Sequence, residues 1–147
     1  MRILIKKFEE LTCCELYDVL KLRSEVFVVE QNCAYCDPDG WDKEAAHIII
    51  EEDDKVVATA RILPAGTRFP QVSIGRVVVD PAYRHRRLGK LLMEKAIAYA
   101  TGIWSAKEMK ISAQLYLRRF YEDLGFSQVT EVYDEDGIPH IGMVRLC

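Results

Sequence analysis

Arg84, His85, Arg86, Arg87 and Lys90 crowd around Gly89 within seven residues. Just ahead of them, Val77, Val78 and Val79 form a β-branched run that suits a pleated strand, and Asp80-Pro81 ends it, because proline cannot donate to a ladder. Just after, Leu88, Leu91, Leu92 and Ala96 begin a helical pattern. A helix start offers unpaired backbone N–H groups and the positive end of the dipole, and a glycine lets a bulky anion approach the backbone closely. The chemistry this predicts is the holding of a diphosphate. A basic cluster standing alone would read as a solvated helix start. Neither G-x-x-x-x-G-K-[ST] nor G-x-G-x-x-G is present, so a Walker loop and the dinucleotide fingerprint are excluded.

Two other stretches could do chemistry. Cys33-Ala-Tyr-Cys36 has the C-x-x-C spacing of half a zinc site or a redox pair. Cys13 and Cys14 are adjacent rather than spaced, and His47 and His140 are isolated, so no metal is expected. The segment from Asn32 to Glu44 carries Tyr35, Asp37, Asp39, Trp41 and Asp42. Long loops are commonly functional, and an acidic, aromatic one suits a cationic substrate; the alternative is a solvated loop with Trp41 packed on the core.

The elements that must position these groups belong to one expected domain, residues 1–147, long enough to bury roughly two-thirds of its unfolded surface. Half the residues are hydrophobic and 29% are charged, as in soluble globular proteins, and no apolar run approaches the ~20 residues of a membrane span. The basic start from Met1 to Lys7 is followed by acidic residues, so no secretory signal is expected. A net charge of −3 argues against nucleic acid as a partner and makes the basic cluster a local feature. Five cysteines, an odd number, without an export signal imply reduced thiols and a cytoplasmic location.

In chain order, Ile3 to Phe8 alternates as a first strand, and Thr12 with Glu15 forms a capping box for a helix running to about Val28. Strands over 46–51 and 55–63 form a hairpin, and a third strand over 71–79 leads into the basic cluster. A helix over 87–104, a short buried strand over 110–113 and a helix over 115–124 ended by Gly125 follow. Finally, strands over 127–133 and 140–145 pair across an acidic turn over 134–137. The fold class is mixed α/β.

The order strand, Asp-Pro, Tyr83-Arg84, then Gly89-Lys90 opening a helix resembles the acyl-CoA motif of the GNAT superfamily of N-acyltransferases: Gln or Arg, two residues, Gly, one residue, Gly or Ala. Arg84 and Gly89 match its ends, while Arg87 stands at the first glycine position, which implies a tighter or shallower loop. Gln114, seven residues before Tyr121, and Phe120-Tyr-Glu-Asp-Leu-Gly-Phe126 resemble the second GNAT signature, with Gln114 in place of an Asn. The pieces Leu22-Arg23-x-x-Val26-Phe27, Asp37-x-Asp39-Gly-x-Asp42 and Glu131 to His140 are similar to the ElaA-type branch of that superfamily. The Arg23 to Phe27 piece also resembles acyl-homoserine-lactone synthases, which share the fold but use S-adenosylmethionine and acyl carrier protein; the diphosphate motif favours CoA.

The resemblance implies a GNAT-like central, mostly antiparallel sheet flanked by helices. It further implies direct transfer of an acetyl group from acetyl-CoA to a primary amine, with no metal and no covalent cysteine intermediate. By this reading the central strand from Arg76 to Val79 splays from its neighbour at a bulge, Val77, Val78 and Val79 face the cofactor, and N–H groups near Val78 and Val79 bond the pantetheine and thioester. Arg84, His85, Arg86, Arg87, Leu88, Gly89 and Lys90 hold the diphosphate, Gln114 bonds the pantetheine arm, and Tyr121 is the acid. Glu30, His47 and His140 are the candidate bases, though a strand histidine such as His47 is more often structural. Arg23, Phe27 and Asp39 are candidate acceptor-binding residues. No nucleic acid or membrane partner is expected, and a homodimer is left open. The competing expectation is a non-catalytic acyl-CoA sensor or a protein interaction module on the same fold.

Overall fold

The computed structural model describes residues 1–147. After strand β1 (Arg2–Lys7), helix α1 (Cys13–Arg23) starts at the expected capping box. The Thr12 hydroxyl accepts from the Glu15 N–H at 3.1 Å, and the Glu15 carboxylate accepts from the Thr12 N–H at 2.8 Å. The helical path does not stop at Arg23. Over Ser24–Glu30 it widens into π turns, with Gln31 N–H donating to Val26 O and Cys33 N–H to Val28 O, each five residues back. Wide turns of this kind gather at functional sites.

Strands β2 (Ala46–Glu52) and β3 (Lys55–Leu63) form the expected hairpin. Its turn residues Asp53 and Asp54 both take positive φ, 51° and 57°, as a two-residue turn matched to strand twist requires. Strand β4 (Val72–Val79), helix α2 (Leu88–Gly102), strand β5 (Glu108–Gln114), helix α3 (Arg118–Glu122) and strands β6 (Ser127–Gln128), β7 (Tyr133–Glu135) and β8 (Ile138–Leu146) complete the chain. The eight strands make one sheet in the order β1-β2-β3-β4-β5-β8-β6, with β7 also pairing β8. All pairings are antiparallel except β4 with β5, which is the expected mixed α/β architecture.

Both faces of the sheet are covered, which explains the unbroken Ile48-Ile49-Ile50 run. Ile48 and Ile50 join the larger core beneath α2, with Leu92, Met93, Ala96, Tyr121 and Phe126. Ile49 joins the smaller one beneath α1, with Val19, Leu22, Val26 and Val78.

Several boundaries differ from the sequence pattern. β5 is longer than the expected buried strand and only half-buried, with Met109, Ile111 and Ala113 inward. The expected strand over 127–133 is interrupted: the Thr130 hydroxyl accepts from Gly142 N–H at 2.7 Å, so a side chain takes the place of the ladder. The acidic turn tightens to Asp136-Gly137, both at positive φ. The helix expected over 115–124 splits into a 3₁₀ turn at Leu115–Leu117 and the short α3. Gly125, at φ 94°, ends it as a left-handed cap.

The feature that shapes the molecule lies in β4. Arg61 of β3 pairs with Gly75 and Thr59 with Val78, so Arg76 and Val77 together oppose Ala60. This is a bulge, and Arg76 sits in it at φ 48°. On its other side β4 pairs with β5 only at Val72↔Met109 and Ser73↔Lys110. Beyond Ser73 the two parallel strands part, and a wedge opens in the sheet.

Candidate active site

The wedge between β4 and β5 holds a cavity of about 860 Å³. The N-terminus of α2 with the turn before it, and the β7–β8 hairpin, line different parts of it, and the widened end of α1 with the residues just after it touches both, through Glu30 to Arg84 and Cys33 to Asp136. Asp80 N–H donates to Val57 O on β3 at 2.8 Å. Because successive N–H groups along a strand point to opposite sides, those of Val79 and Val77 point into the wedge, and that of Val78 turns to β3. The backbone pair facing the cavity is therefore Val77 and Val79, rather than Val78 and Val79.

At the α2 end, Arg87 is the residue before the helix and takes the left-handed backbone, φ 56° and ψ 31°. An arginine thus adopts the conformation a glycine would supply at that motif position, at a cost of roughly 1–2 kcal/mol, and the turn is kept. The N–H groups of Leu88, Gly89 and Lys90 open the helix. A Cβ built on Gly89 would lie 3.8 Å from Phe120 and 3.9 Å from Val79, so the glycine occupies the narrow gap between these side chains and the mouth. Arg84, Arg87, Gly89 and Lys90 line the cavity. The side chains of His85, Arg86 and Leu88 do not: His85 is exposed, Arg86 pairs outside with Glu52, and Leu88 is buried in the core.

Glu30 and Arg84 meet across the mouth. Arg84 Nη1 donates to Glu30 Oε2 at 2.8 Å and Nη2 to Oε1 at 2.5 Å, which holds the Glu30 carboxyl below its usual range.

Tyr121 lies edge-on between Phe120 and Phe126, with ring centroids at 5.0 and 6.1 Å. It is 8% exposed and lines the cavity. Burial pushes its phenol up to about 12, with the nearby Tyr116 adding to the effect. Gln114, at the end of β5, also lines the cavity, its Nε2 3.4 Å from Gln31 Oε1.

The opposite end carries a polar network of which only His140 was singled out from the sequence. His140 Nδ1 lies 2.7 Å from the carbonyl oxygen of Ile138, and its Nε2 lies 3.3 Å from Glu135 Oε2. Glu135 is held in turn by Arg68 at 2.8 Å and by the Ser112 hydroxyl at 3.2 Å. The one usable signal for Glu135 in the sequence was its position beside the hairpin turn that carries His140.

Three further expected site residues lie elsewhere. His47 is 1% exposed on β2, its Nε2 2.9 Å from Asp42 O and its Nδ1 unpaired, and it does not reach the cavity. Arg23 is fully buried, donating to Asp37 Oδ2 at 2.6 Å and to Asp42 Oδ1 at 2.7 Å. Asp39 accepts from Arg61 and lies outside the lining; burial pushes its carboxyl up, but the hydrogen bond and charge of Arg61, then Arg76, bring it down to about 2. These two serve the ionic core of the 32–44 loop rather than an acceptor surface. Phe27 does line the cavity. The thiols are spent on backbone contacts: Cys33 Sγ donates to Asp136 O and Cys36 Sγ to Pro38 O.

The chain matches the acetyltransferase (GNAT) domain over residues 24–147. It is 48% identical to protein ElaA of Escherichia coli K12 over 138 residues, which cover 92% of this chain and 90% of that protein. Among solved structures, an acyl-CoA N-acyltransferase from Pseudomonas aeruginosa superposes with a TM-score of 0.93 at 44% identity, covering 99% of both chains. Escherichia coli ElaA superposes with a TM-score of 0.91 at 44% identity over 98% of each. A basic turn opening α2 beside a split β4–β5 sheet, and these likenesses over nearly the full length, place the chain in the GNAT acetyltransferase family, on its ElaA branch.

Proposed function

We propose that the protein is an acetyltransferase that moves the acetyl group of acetyl-CoA to a primary amine by direct attack. The observation that carries this reading is the wedge itself. It joins an anion cradle (Arg84, Arg87 and the N–H groups opening α2) to two inward N–H groups, those of Val77 and Val79, along a single cavity.

In this reading the cradle and Lys90 hold the diphosphate, and Gln114 bonds the pantetheine arm. The Val79 and Val77 N–H groups hold the arm and donate to the thioester oxygen as negative charge develops there. An ammonium is not nucleophilic, so its proton must leave first. His140 takes it at Nε2, since Nδ1 is engaged with the Ile138 carbonyl, and Glu135 at 3.3 Å stabilises the charged ring. Glu30 is the weaker base, because Arg84 occupies both of its oxygens. Tyr121 then donates to the departing thiolate from the cavity wall. The amine enters between Phe27 and the β7–β8 hairpin, past Tyr35 and the exposed Asp136.

The test is free-thiol release from acetyl-CoA with small amines, polyamines and peptide N-termini, beside calorimetry with acetyl-CoA alone. Tight binding with amine-dependent thiol release is the expected result. Tight binding without release from any amine would make the protein an acyl-CoA sensor, and no binding would overturn the assignment.

A further inference from the structure

Six charged side chains from four parts of the chain meet behind the bulge: Arg23 of α1, Arg61 of β3, Arg76 of β4, and Asp37, Asp39 and Asp42 of the 32–44 loop. Charges balance, three against three. Arg23 and Arg61, almost fully buried, share the Asp42 carboxylate. Arg76 is the outlier. Its side chain retains 18% exposure and lines the cavity, and its backbone is the left-handed bulge residue at φ 48°. Its Nε lies 2.9 Å from Asp37 Oδ1, and its Nη2 lies 3.2 Å from Asp39 Oδ2 and 3.1 Å from the Asp37 carbonyl oxygen. The guanidinium also lies over the Tyr35 ring at 5.7 Å, and Tyr35 in turn donates to Asp37 Oδ1 at 2.7 Å.

A left-handed backbone is unfavourable for an arginine, and a strained conformation persists only where its surroundings over-determine it. Here the surroundings are the β3 pairs on either side of the bulge, Gly75 with Arg61 and Val78 with Thr59, and on the side-chain side those contacts, all from the loop. We infer that Arg76 is a positioning residue: tethered to Asp37 and Asp39, it holds the β4 bulge that aims the Val77 and Val79 N–H groups into the wedge. The acidic loop therefore acts on the reaction from behind the sheet. Its carboxylates fix the strand rather than touch the amine, and Arg76 is the link. The catalytic part of this inference rests on the acyl-transfer reading above, whereas the structural part stands without it.

Arg76 can be removed without stranding a buried charge, because Asp37 keeps Arg23 and Tyr35 and Asp39 keeps Arg61. Three variants separate tether from strain. Arg76→Gly deletes the tether and accepts a left-handed φ freely, Arg76→Ala deletes the tether and keeps the strain, and Arg76→Lys keeps one charged contact. In ligand-free Arg76→Gly, amide exchange at Val78 and Asp80, whose N–H groups face β3, should be about 10-fold faster or more, while the melting temperature stays near that of the wild type. In turnover, kcat should fall by roughly 10-fold in both the Gly and Ala variants, with the amine KM little changed, and Arg76→Lys should recover part of it. Unchanged exchange at Val78 and Asp80 in Arg76→Gly would overturn the inference, as would a kcat that returns to wild type once glycine relieves the strain. The exchange measurement uses the free protein, so a wild type that fails to turn over acetyl-CoA would sink the acyl-transfer reading and leave this result standing.

Discussion

Glu30 and Arg84 close the mouth of the wedge with two parallel hydrogen bonds, although 54 residues separate them. In the acyl-CoA reading proposed above, the arginine assigned to the diphosphate is thus already held by a carboxylate, and the incoming anion competes for it. Glu30→Gln removes that competition and one like charge, so calorimetry should show CoA binding several-fold tighter, and Arg84→Ala should weaken it by about 10-fold. Both effects should shrink in high salt, since the pair is half exposed. An unchanged CoA affinity in Arg84→Ala would place the diphosphate elsewhere.

Gly89 tests the cradle from the backbone side. Its Cβ position is open at ordinary contact distance, so Gly89→Ala should fold normally. Gly89→Val adds branches into the gap that a diphosphate must approach, and should raise the acetyl-CoA KM by about 10-fold or more while the amine KM moves little. Equal rises in both constants would point to a collapsed wedge instead.

For Tyr121 the expected loss is moderate. A CoA thiolate leaves fairly readily without help, so Tyr121→Phe should lower kcat on the order of 10²-fold with little change in acetyl-CoA affinity or thermal stability. A phenol in water would ionise near ~10 and carry the rate down with it. Here burial lifts it to about 12, so the wild-type rate should show no alkaline limb from this group until the pH comes within a unit of that value. A near wild-type kcat in Tyr121→Phe would leave Tyr121 as a core aromatic.

His47 governs a stability effect rather than a rate. Burial lowers its proton affinity below the ordinary value of 6.5, so the unfolded chain binds the proton more readily than the folded one. Stability from this group is therefore full above pH 6.5 and is lost as the pH falls below it. The loop carboxylates Asp39 and Asp42 are shifted down from 3.8, and their contribution is lost only below that value. Urea midpoints measured from pH 7 down to about 5 should decline in the wild type and stay flatter in His47→Gln. Parallel curves would assign the decline to another group.

What the sequence determined by itself was whatever is local. The strand run, Asp80-Pro81, the basic turn and Gly89 lie within a few residues of one another, and their local conformation follows from turn and helix-start geometry alone. Phe120 to Phe126 and the Thr12–Glu15 box are legible for the same reason. At Arg87, in a glycine position, the chain takes the left-handed conformation, which a single arginine can adopt at modest cost. What only the tertiary structure decided was the fate of charged and titratable side chains far apart in the chain. His47, Arg23 and Asp39 have the same chemistry in sequence whether they line a cavity or brace a loop; their partners, 5 to 37 residues away, are chosen by strand register and by where the 32–44 loop lies. Glu30 as Arg84's partner, Glu135 as His140's and Arg76 as the tether of the bulge were likewise decided by the fold. A charge goes where burial leaves it the best counter-charge, and that depends on neighbours that only the folded sheet brings together.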